Sequence, residues 1–266
     1  MADVNPGVPG DERDDARHAD RAGELKTRLD AVRSRIASAV ESAGRPEPSL
    51  VVVTKYFPAS DVRVLAQLGV GDVGENKDQE ASGKAEELAD LSLRWHFIGQ
   101  LQTNKAKSVV RYAHSIHSVD RPQLVTALGK ALVTEQARRT DAGLPPRADL
   151  ECFLQFSLAD AGSTDEKSSP ASRGGANPGE AEHLADAVLA AEGLRLAGVM
   201  AVAPVGADPA AAFGRLMEIS AVVRSVEPAA TAVSAGMSGD LEAAVAAGTT
   251  HLRIGSDVLG PRPALR

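Results

Sequence analysis

Lys55 follows the run Leu50-Val51-Val52-Val53-Thr54 and stands where that run gives way to Tyr56-Phe57-Pro58. A primary amine partly shielded from bulk water is a nucleophile that can add to an aldehyde. Far downstream, Ser234-Ala235-Gly236-Met237-Ser238-Gly239-Asp240 puts two hydroxyls and two glycines into one turn, and Arg253-Ile254-Gly255-Ser256 adds one more of each. Backbone N–H groups of such turns, with hydroxyls beside them, can surround a phosphate dianion. Each piece also has a plainer reading. A strand-end lysine can simply reach water, and glycines can merely punctuate. Whether the pieces act together depends on whether the chain brings them to one place.

The pattern of elements says that it does. Three consecutive valines read as a strand buried on both faces, as in a parallel sheet covered by helices. Further strands are expected at 94–98, 115–119, 150–158, 194–202, 231–234 and 251–254, with a short one around Val73. Helical segments separate them. Leu25, Leu29, Val32, Ile36 and Val40 recur at helical spacing, which predicts an amphipathic helix over about 22–43 ahead of the first strand. Eight strand–helix steps without a second domain predict a single α/β unit, a (β/α)8 TIM barrel with an extra N-terminal helix, spanning 19–266. Residues 1–18 are polar and charged and read as a loose tail. A doubly wound open sheet is the rival. Gly69-Val70-Gly71-Asp72-Val73-Gly74 has glycines but precedes a strand instead of opening a helix, so it fails as a dinucleotide fingerprint. The connection over 159–179, rich in Ser, Gly, Asp and Pro, is too long for an ordinary loop and reads as a lid, a binding loop or an insertion.

Composition narrows the function classes. The 266 residues carry a formal charge of -7, which gives nucleic acid little to hold. Cys152 is the only cysteine, so no internal disulfide or cysteine metal cluster can form, and its apolar run makes it a core residue instead of a nucleophile. His114, His117 and His251 show no metal-ligand spacing with carboxylates. The start is acidic, unlike a signal peptide, and no run approaches the ~18 apolar residues of a membrane span. Cytoplasmic residence is the expectation.

In a barrel the downstream strand ends share one face, and active sites sit there. That face would carry Lys55, Glu75-Asn76, His96, Asp120, Gln155, Ala203-Pro204, Ser234 and Gly255. An aldehyde-reactive amine and a phosphate cradle across one mouth match pyridoxal 5'-phosphate (PLP). Arg253 alternates with Ile254 and could reach inward. There it would be a donor that does not yield its proton, keeping the ring nitrogen unprotonated and weakening the ring as an electron sink; a phosphate contact or a surface ion pair is equally open. Either Trp95 or His96 lines the mouth, or His96 is a hydrogen-bonded structural residue. Trp95, Phe97, Phe153 and Phe156 read as packing.

Several motifs in order resemble the PLP homeostasis proteins, a family built on the barrel domain of alanine racemase. They are Val53-Thr54-Lys55, Gly74-Glu75-Asn76 with Gln79-Glu80, Trp95-His96-Phe97-Ile98-Gly99 with Leu101-Gln102-Thr103-Asn104-Lys105, Ile116 to Arg121, Gly236-Met237-Ser238 with Asp240 to Ala244, and Arg253-Ile254-Gly255. The resemblance implies a non-catalytic monomeric carrier or buffer of PLP, affecting vitamin B6 and amino-acid balance, with PLP-dependent apoenzymes as recipients. It also implies an internal aldimine on Lys55, Asn76 near the ring, Arg253 near the pyridine nitrogen, and the phosphate among Ser234, Gly236, Gly255 and Ser256. Ser256 stands where the family usually has threonine, which keeps a hydroxyl. Arg173-Gly174-Gly175, or Lys167, would fill the place of a lysine and glycine near the cofactor. Two other functions compete: a PLP-dependent racemase or decarboxylase of small amino acids, and a barrel enzyme binding another phosphorylated substrate. With Tyr56 and Tyr112 as the only tyrosines, a two-base racemase lacks an obvious opposing base.

Overall fold

The computed structural model describes residues 11–159 and 174–262. Eight parallel strands close into a barrel in sequence order: β1 (Ser49–Val53), β2 (Asp72–Glu75), β3 (Arg94–Phe97), β4 (Ala113–Val119), β5 (Leu150–Gln155), β6 (Leu194–Met200), β7 (Ala232–Ser234) and β8 (His251–Ile254). β8 returns to β1 with Val51 opposite Arg253 and Val52 opposite Ile254, which closes the ring and removes the open-sheet rival.

Alternation along the strands sorts side chains into two layers. Val52, Ile116, Leu154, Val199, Leu252 and Ile254 point outward into the main core with the helices, including α5 (Pro122–Asp141) and α7 (Pro209–Val226). Burying each such aliphatic side chain contributes roughly 1.5–3 kcal/mol. The inward layer is different. Barrel interiors are usually filled by branched aliphatic residues, yet this one holds His96, Ser115, His117, Ser234 and Arg253, all buried, next to Phe153.

The first helix, α1 (Asp11–Ala43), begins inside the stretch read as a tail. From Asp11 the sequence has no proline, and its Glu, Arg and Ala residues favour a helix without needing to be buried. Leu25, Leu29, Val32 and Ile36 of α1 are buried as the spacing predicts. The helix lies against α8 (Leu241–Ala247) and α9 (Ser256–Leu259), and Arg35 bridges to Glu242 and Asp257. Other differences fall at element ends. β1 stops at Val53, β5 at Gln155 and β6 at Met200, so residues expected to prolong these strands form the rim. The segment between β3 and β4 is not one full helix but a 3₁₀ turn (Thr103–Lys105) leading into α4 (Ala106–Val109), since Thr103 and Asn104 favour turns over helix interiors.

Of the long connection, the returning end is described. Ala176 pairs with Phe156 beside the end of β5, and its N–H donates to the Gln155 carbonyl at 2.8 Å. Gly175 allows this approach: its φ is 113°, and a Cβ there would sit 2.7 Å from Phe156 carbonyl carbon. Lys167 and Arg173 lie outside the described residues. Among the described residues no helix is long and apolar enough to cross a membrane.

Candidate functional site

Lys55 stands two residues beyond β1, on the rim, half-buried. Among the described residues its amine makes no ion pair, and it lies 5.8 Å from the centroid of the Tyr56 ring. The backbone on either side of it is fixed from below. Lys84, on α3 (Asp78–Glu87), is buried and donates to the Thr54 carbonyl at 2.9 Å. It also pairs with Glu75 and Glu80 at 2.7 Å each. Thr54 hydroxyl donates to Glu75 Oε1 at 2.7 Å, and Glu80 accepts from the Tyr56 N–H at 2.6 Å. Tyr56 has φ 73°, a left-handed conformation that costs a non-glycine residue about 1–2 kcal/mol. The Glu80 hydrogen bond and the Arg262 guanidinium 3.6 Å over the Tyr56 ring hold it there.

Next to this post, burial pushes the Glu75 carboxyl above its ordinary range, with Lys84 and Thr54 offsetting part of the effect. Glu75 Oε2 and Asn76 Oδ1 are buried with no hydrogen-bond partner among the described residues. A buried acceptor without a donor costs about 1–3 kcal/mol, so such atoms mark where a ligand bearing donors fits. Asn76 is pinned by the turn after β3, where a Cβ on Gly99 would lie 2.3 Å from the Asn76 carbonyl oxygen.

The two glycine turns meet on the same rim. Gly236 has φ 94°, and a Cβ there would meet Ala244 and Leu252 at 2.5 and 2.7 Å, so the turn lies tight against α8. Asp240 closes it by accepting from Met237 N–H at 2.6 Å. Gly255 packs on β1: a Cβ there would lie 3.3 Å from the Val53 carbonyl oxygen. The glycine turn after β8 is thus the immediate neighbour of the strand that presents Lys55. Ser238 and Ser256 hydroxyls, one from each turn, stand 3.4 Å apart.

Arg253 lies beneath the rim, in the lumen. Burial lowers its guanidinium to about 10. It donates to Ser234 hydroxyl at 2.6 Å and to the Ala201 carbonyl at 2.9 Å, and it has no carboxylate in ion-pair contact among the described residues. A surface ion pair for Arg253 is therefore excluded. Ser234, expected at the phosphate, uses its hydroxyl below the rim, between Arg253 and His117 Nδ1 at 2.8 Å. His96 is also not at the mouth. Trp95 points into the outer core, and His96 points into the lumen toward Asp72 at the start of β2, at 2.7 Å. Burial pushes Cys152 up to about 12, in keeping with a core role. No group of three metal-ligating side chains forms among the described residues.

The structure thus gathers Lys55, Asn76, Gly236, Gly255 and Ser256 on one rim, with Arg253 and Ser234 below. Lys84 and Glu80 escaped the sequence reading as functional residues. Their i, i+4 spacing was a visible signal for a helical ion pair, but not for one that clamps the strand carrying Lys55.

The sequence matches the family described as the N-terminal domain of alanine racemase over residues 27–263. It is 42% identical over 262 residues to the pyridoxal phosphate homeostasis protein of Mycobacterium tuberculosis, covering 92% of this chain and 95% of that one. The chain belongs to the pyridoxal phosphate homeostasis protein family. Among solved structures, an unknown protein from Bifidobacterium adolescentis superposes with a TM-score of 0.76 at 27% identity, over 90% of this chain and 95% of that one. PipY of Synechococcus elongatus, solved with PLP bound, superposes with a TM-score of 0.70 at 28% identity, covering 89% of this chain and 100% of PipY.

Proposed function

We propose that this protein binds pyridoxal 5'-phosphate at the barrel rim and holds or delivers it without turnover. The observation that carries this reading is the placement of Gly255 against Val53, which sets a candidate anion turn next to the strand that presents Lys55. The cofactor supplies an aldehyde, with which a lysine amine condenses by losing water. Lys55 is the amine for that bond, held by the Thr54–Glu75–Lys84–Glu80 clamp. Gly236, Ser238, Gly255 and Ser256 would receive the phosphate, and Asn76 would hold the ring's side of the rim. Arg253, below the rim, would be the residue that meets the ring nitrogen. Its acceptors among the described residues, the Ser234 hydroxyl and the Ala201 carbonyl, are neutral, and it keeps its proton at physiological pH, so it would leave the ring nitrogen without one. That arrangement retains the cofactor and gives little help to carbanion chemistry. Ser234 supports Arg253 instead of meeting the phosphate with its hydroxyl. The names of the curated relatives, and PLP in the PipY structure, support the same ligand. The protein acts as a cytoplasmic monomer, with PLP-dependent apoenzymes as recipients.

The purified protein is expected to be yellow, and borohydride should bleach it and leave a phosphopyridoxyl adduct on Lys55 by mass spectrometry. Lys55→Ala should be colourless after incubation with PLP. An adduct on another lysine, or an equally yellow Lys55→Ala, would overturn the site. Racemisation or decarboxylation of alanine, serine or glutamate at enzymatic rates would overturn the carrier reading.

A further inference from the structure

Arg253, Ser234, His117, His96 and Asp72 form one unbroken line of hydrogen bonds through the barrel. The links are Arg253 Nη1 to Ser234 Oγ at 2.6 Å, Ser234 Oγ to His117 Nδ1 at 2.8 Å, His117 Nε2 to His96 Nδ1 at 2.9 Å, and His96 Nε2 to Asp72 Oδ1 at 2.7 Å. Asp72 sits at the opposite end of the strands from the rim, gripped by Arg94 at 2.7 and 2.5 Å.

The chemistry of the donors fixes the direction of every link. Arginine has no acceptor, so Ser234 must accept from it. The single hydroxyl proton of Ser234 is then free to go to His117 Nδ1. A neutral imidazole that accepts at Nδ1 carries its proton on Nε2 and donates from there. At the other end Asp72 is an acceptor. Burial alone would raise its carboxyl, but the hydrogen bonds from His96 and Arg94 prevail and keep it ionised. His96 therefore donates from Nε2 and presents the lone pair of Nδ1 to His117. Burial disfavours the charged form of both rings despite the pull of Asp72 on His96. Ser115 Oγ, at 2.7 Å from His96 Nδ1 and 3.1 Å from His117 Nε2, bridges the same two atoms, accepting from His117 Nε2–H and donating to the lone pair of His96 Nδ1, so both routes between the rings run in the same direction. The other titratable groups facing the line are His251, edge-on to His117 and tilted toward His96, His114 beside His96, Glu151, and Asp240, whose charge acts on Arg253. None of them makes a hydrogen bond with its members.

The line has a charge at each end: the carboxylate of Asp72 and the guanidinium of Arg253, which among the described residues has no carboxylate in ion-pair contact and feels Asp240 only through space. Hydrogen bonds aligned head to tail in a low-dielectric interior polarise one another. We propose that Asp72, His96, His117 and Ser234 are positioning residues forming a one-way hydrogen-bond relay, by which a carboxylate at the base of the barrel orients Arg253 and sets its strength as a donor toward the ligand at the rim. This rests on the reading of Arg253 as the residue facing the cofactor ring, whereas the direction of the relay does not.

Two measurements separate these. In the cofactor-free protein, long-range ¹H–¹⁵N spectra of the histidine rings at neutral pH should show His96 and His117 neutral, both protonated on Nε2. A proton on Nδ1 of either ring, or a doubly protonated ring, would overturn the relay whether or not PLP binds. In the PLP-loaded protein, Ser234→Ala should move the visible absorption maximum and weaken PLP binding by about tenfold, the size expected for one hydrogen bond to a charged group. Asp72→Asn, several side chains away, should move the band in the same direction, and the double variant should move it no further. An unmoved band in Asp72→Asn, or additive shifts, would leave these residues merely structural and overturn the proposal. Should Asp72→Asn fail to fold, His96→Phe breaks the line one link higher and is read the same way. Failure of the wild-type protein to take up PLP would sink the function proposed above and leave the tautomer result standing.

Discussion

Lys84→Met tests whether the clamp beneath Lys55 is as strained and as consequential as its geometry implies. Lys84 Nζ serves three acceptors: the Thr54 carbonyl, Glu75 and Glu80. Methionine keeps most of the volume, so packing changes little and the charge is what is lost. Glu80 side chain is 24% exposed and can turn to water, whereas that of Glu75 is 1% exposed and cannot. Removing one partner of a buried pair costs about 3–5 kcal/mol, because the other charge is stranded. The partial release of Glu80 argues for the lower end, about 3 kcal/mol. At about 2–4 °C per kcal/mol for a chain near this size, the melting temperature should fall by roughly 10 °C. The loss should also depend on pH. Glu75 has its folded pKa raised above the ordinary 4.5, and loss of Lys84 raises it further. A raised carboxyl is no burden below its unfolded pKa and an increasing one as pH climbs to the folded value. Urea denaturation should therefore find a smaller loss at about pH 5 than at about pH 7.5. Lys84→Met/Glu75→Gln should recover most of the stability. A loss under about 1 kcal/mol, or an equal loss at both pH values, would refute the argument.

Acid should weaken the fold through its histidines. Burial lowers His96 and His117, and lowers His251 to about 4, from an ordinary 6.5. Depressed values mean the unfolded chain takes up these protons first, so stability is whole above 6.5 and falls as pH drops below it by up to about 1.4 kcal/mol per pH unit for each ring still neutral in the fold, the His251 part being complete near 4. A flat denaturation profile across that window would contradict it. Cys152, buried and pushed up to about 12, should react with a thiol reagent at mildly alkaline pH only after unfolding. Gly99→Ala must displace the Asn76 carbonyl, 2.3 Å from the new Cβ, and should cost about 1–3 kcal/mol and loosen PLP retention. Gly71→Ala, with open space at its Cβ, serves as the control in the same melts.

Much of this was legible in the sequence because it depends on local pattern. The valine run before Lys55, the helical spacing from Leu25 to Val40 and the eight strand–helix steps each follow from which faces must be buried. The joint order of Gly74-Glu75-Asn76, Trp95 to Gly99 and Arg253-Ile254-Gly255 pointed to the family by itself. Element ends were less legible. Whether a residue such as Lys55 or Phe156 belongs to a strand or to the rim depends on neighbours distant in sequence, for Phe156 on Ala176.

What the amino-acid order determined, then, was the barrel, the lysine and the two glycine turns, since periodicity and turn chemistry act over a few residues. Tertiary structure alone decided where side chains of like type go. Ser234 and Ser256 are both hydroxyls near glycines, yet closure of the ring turns one into the lumen and leaves the other on the rim. Lys55 and Lys84 are both lysines, yet only Lys84 meets two carboxylates and a carbonyl. Hydrogen bonds are directional and buried polar groups must be paired, so these roles belong to the packed interior, where residues far apart in sequence become neighbours.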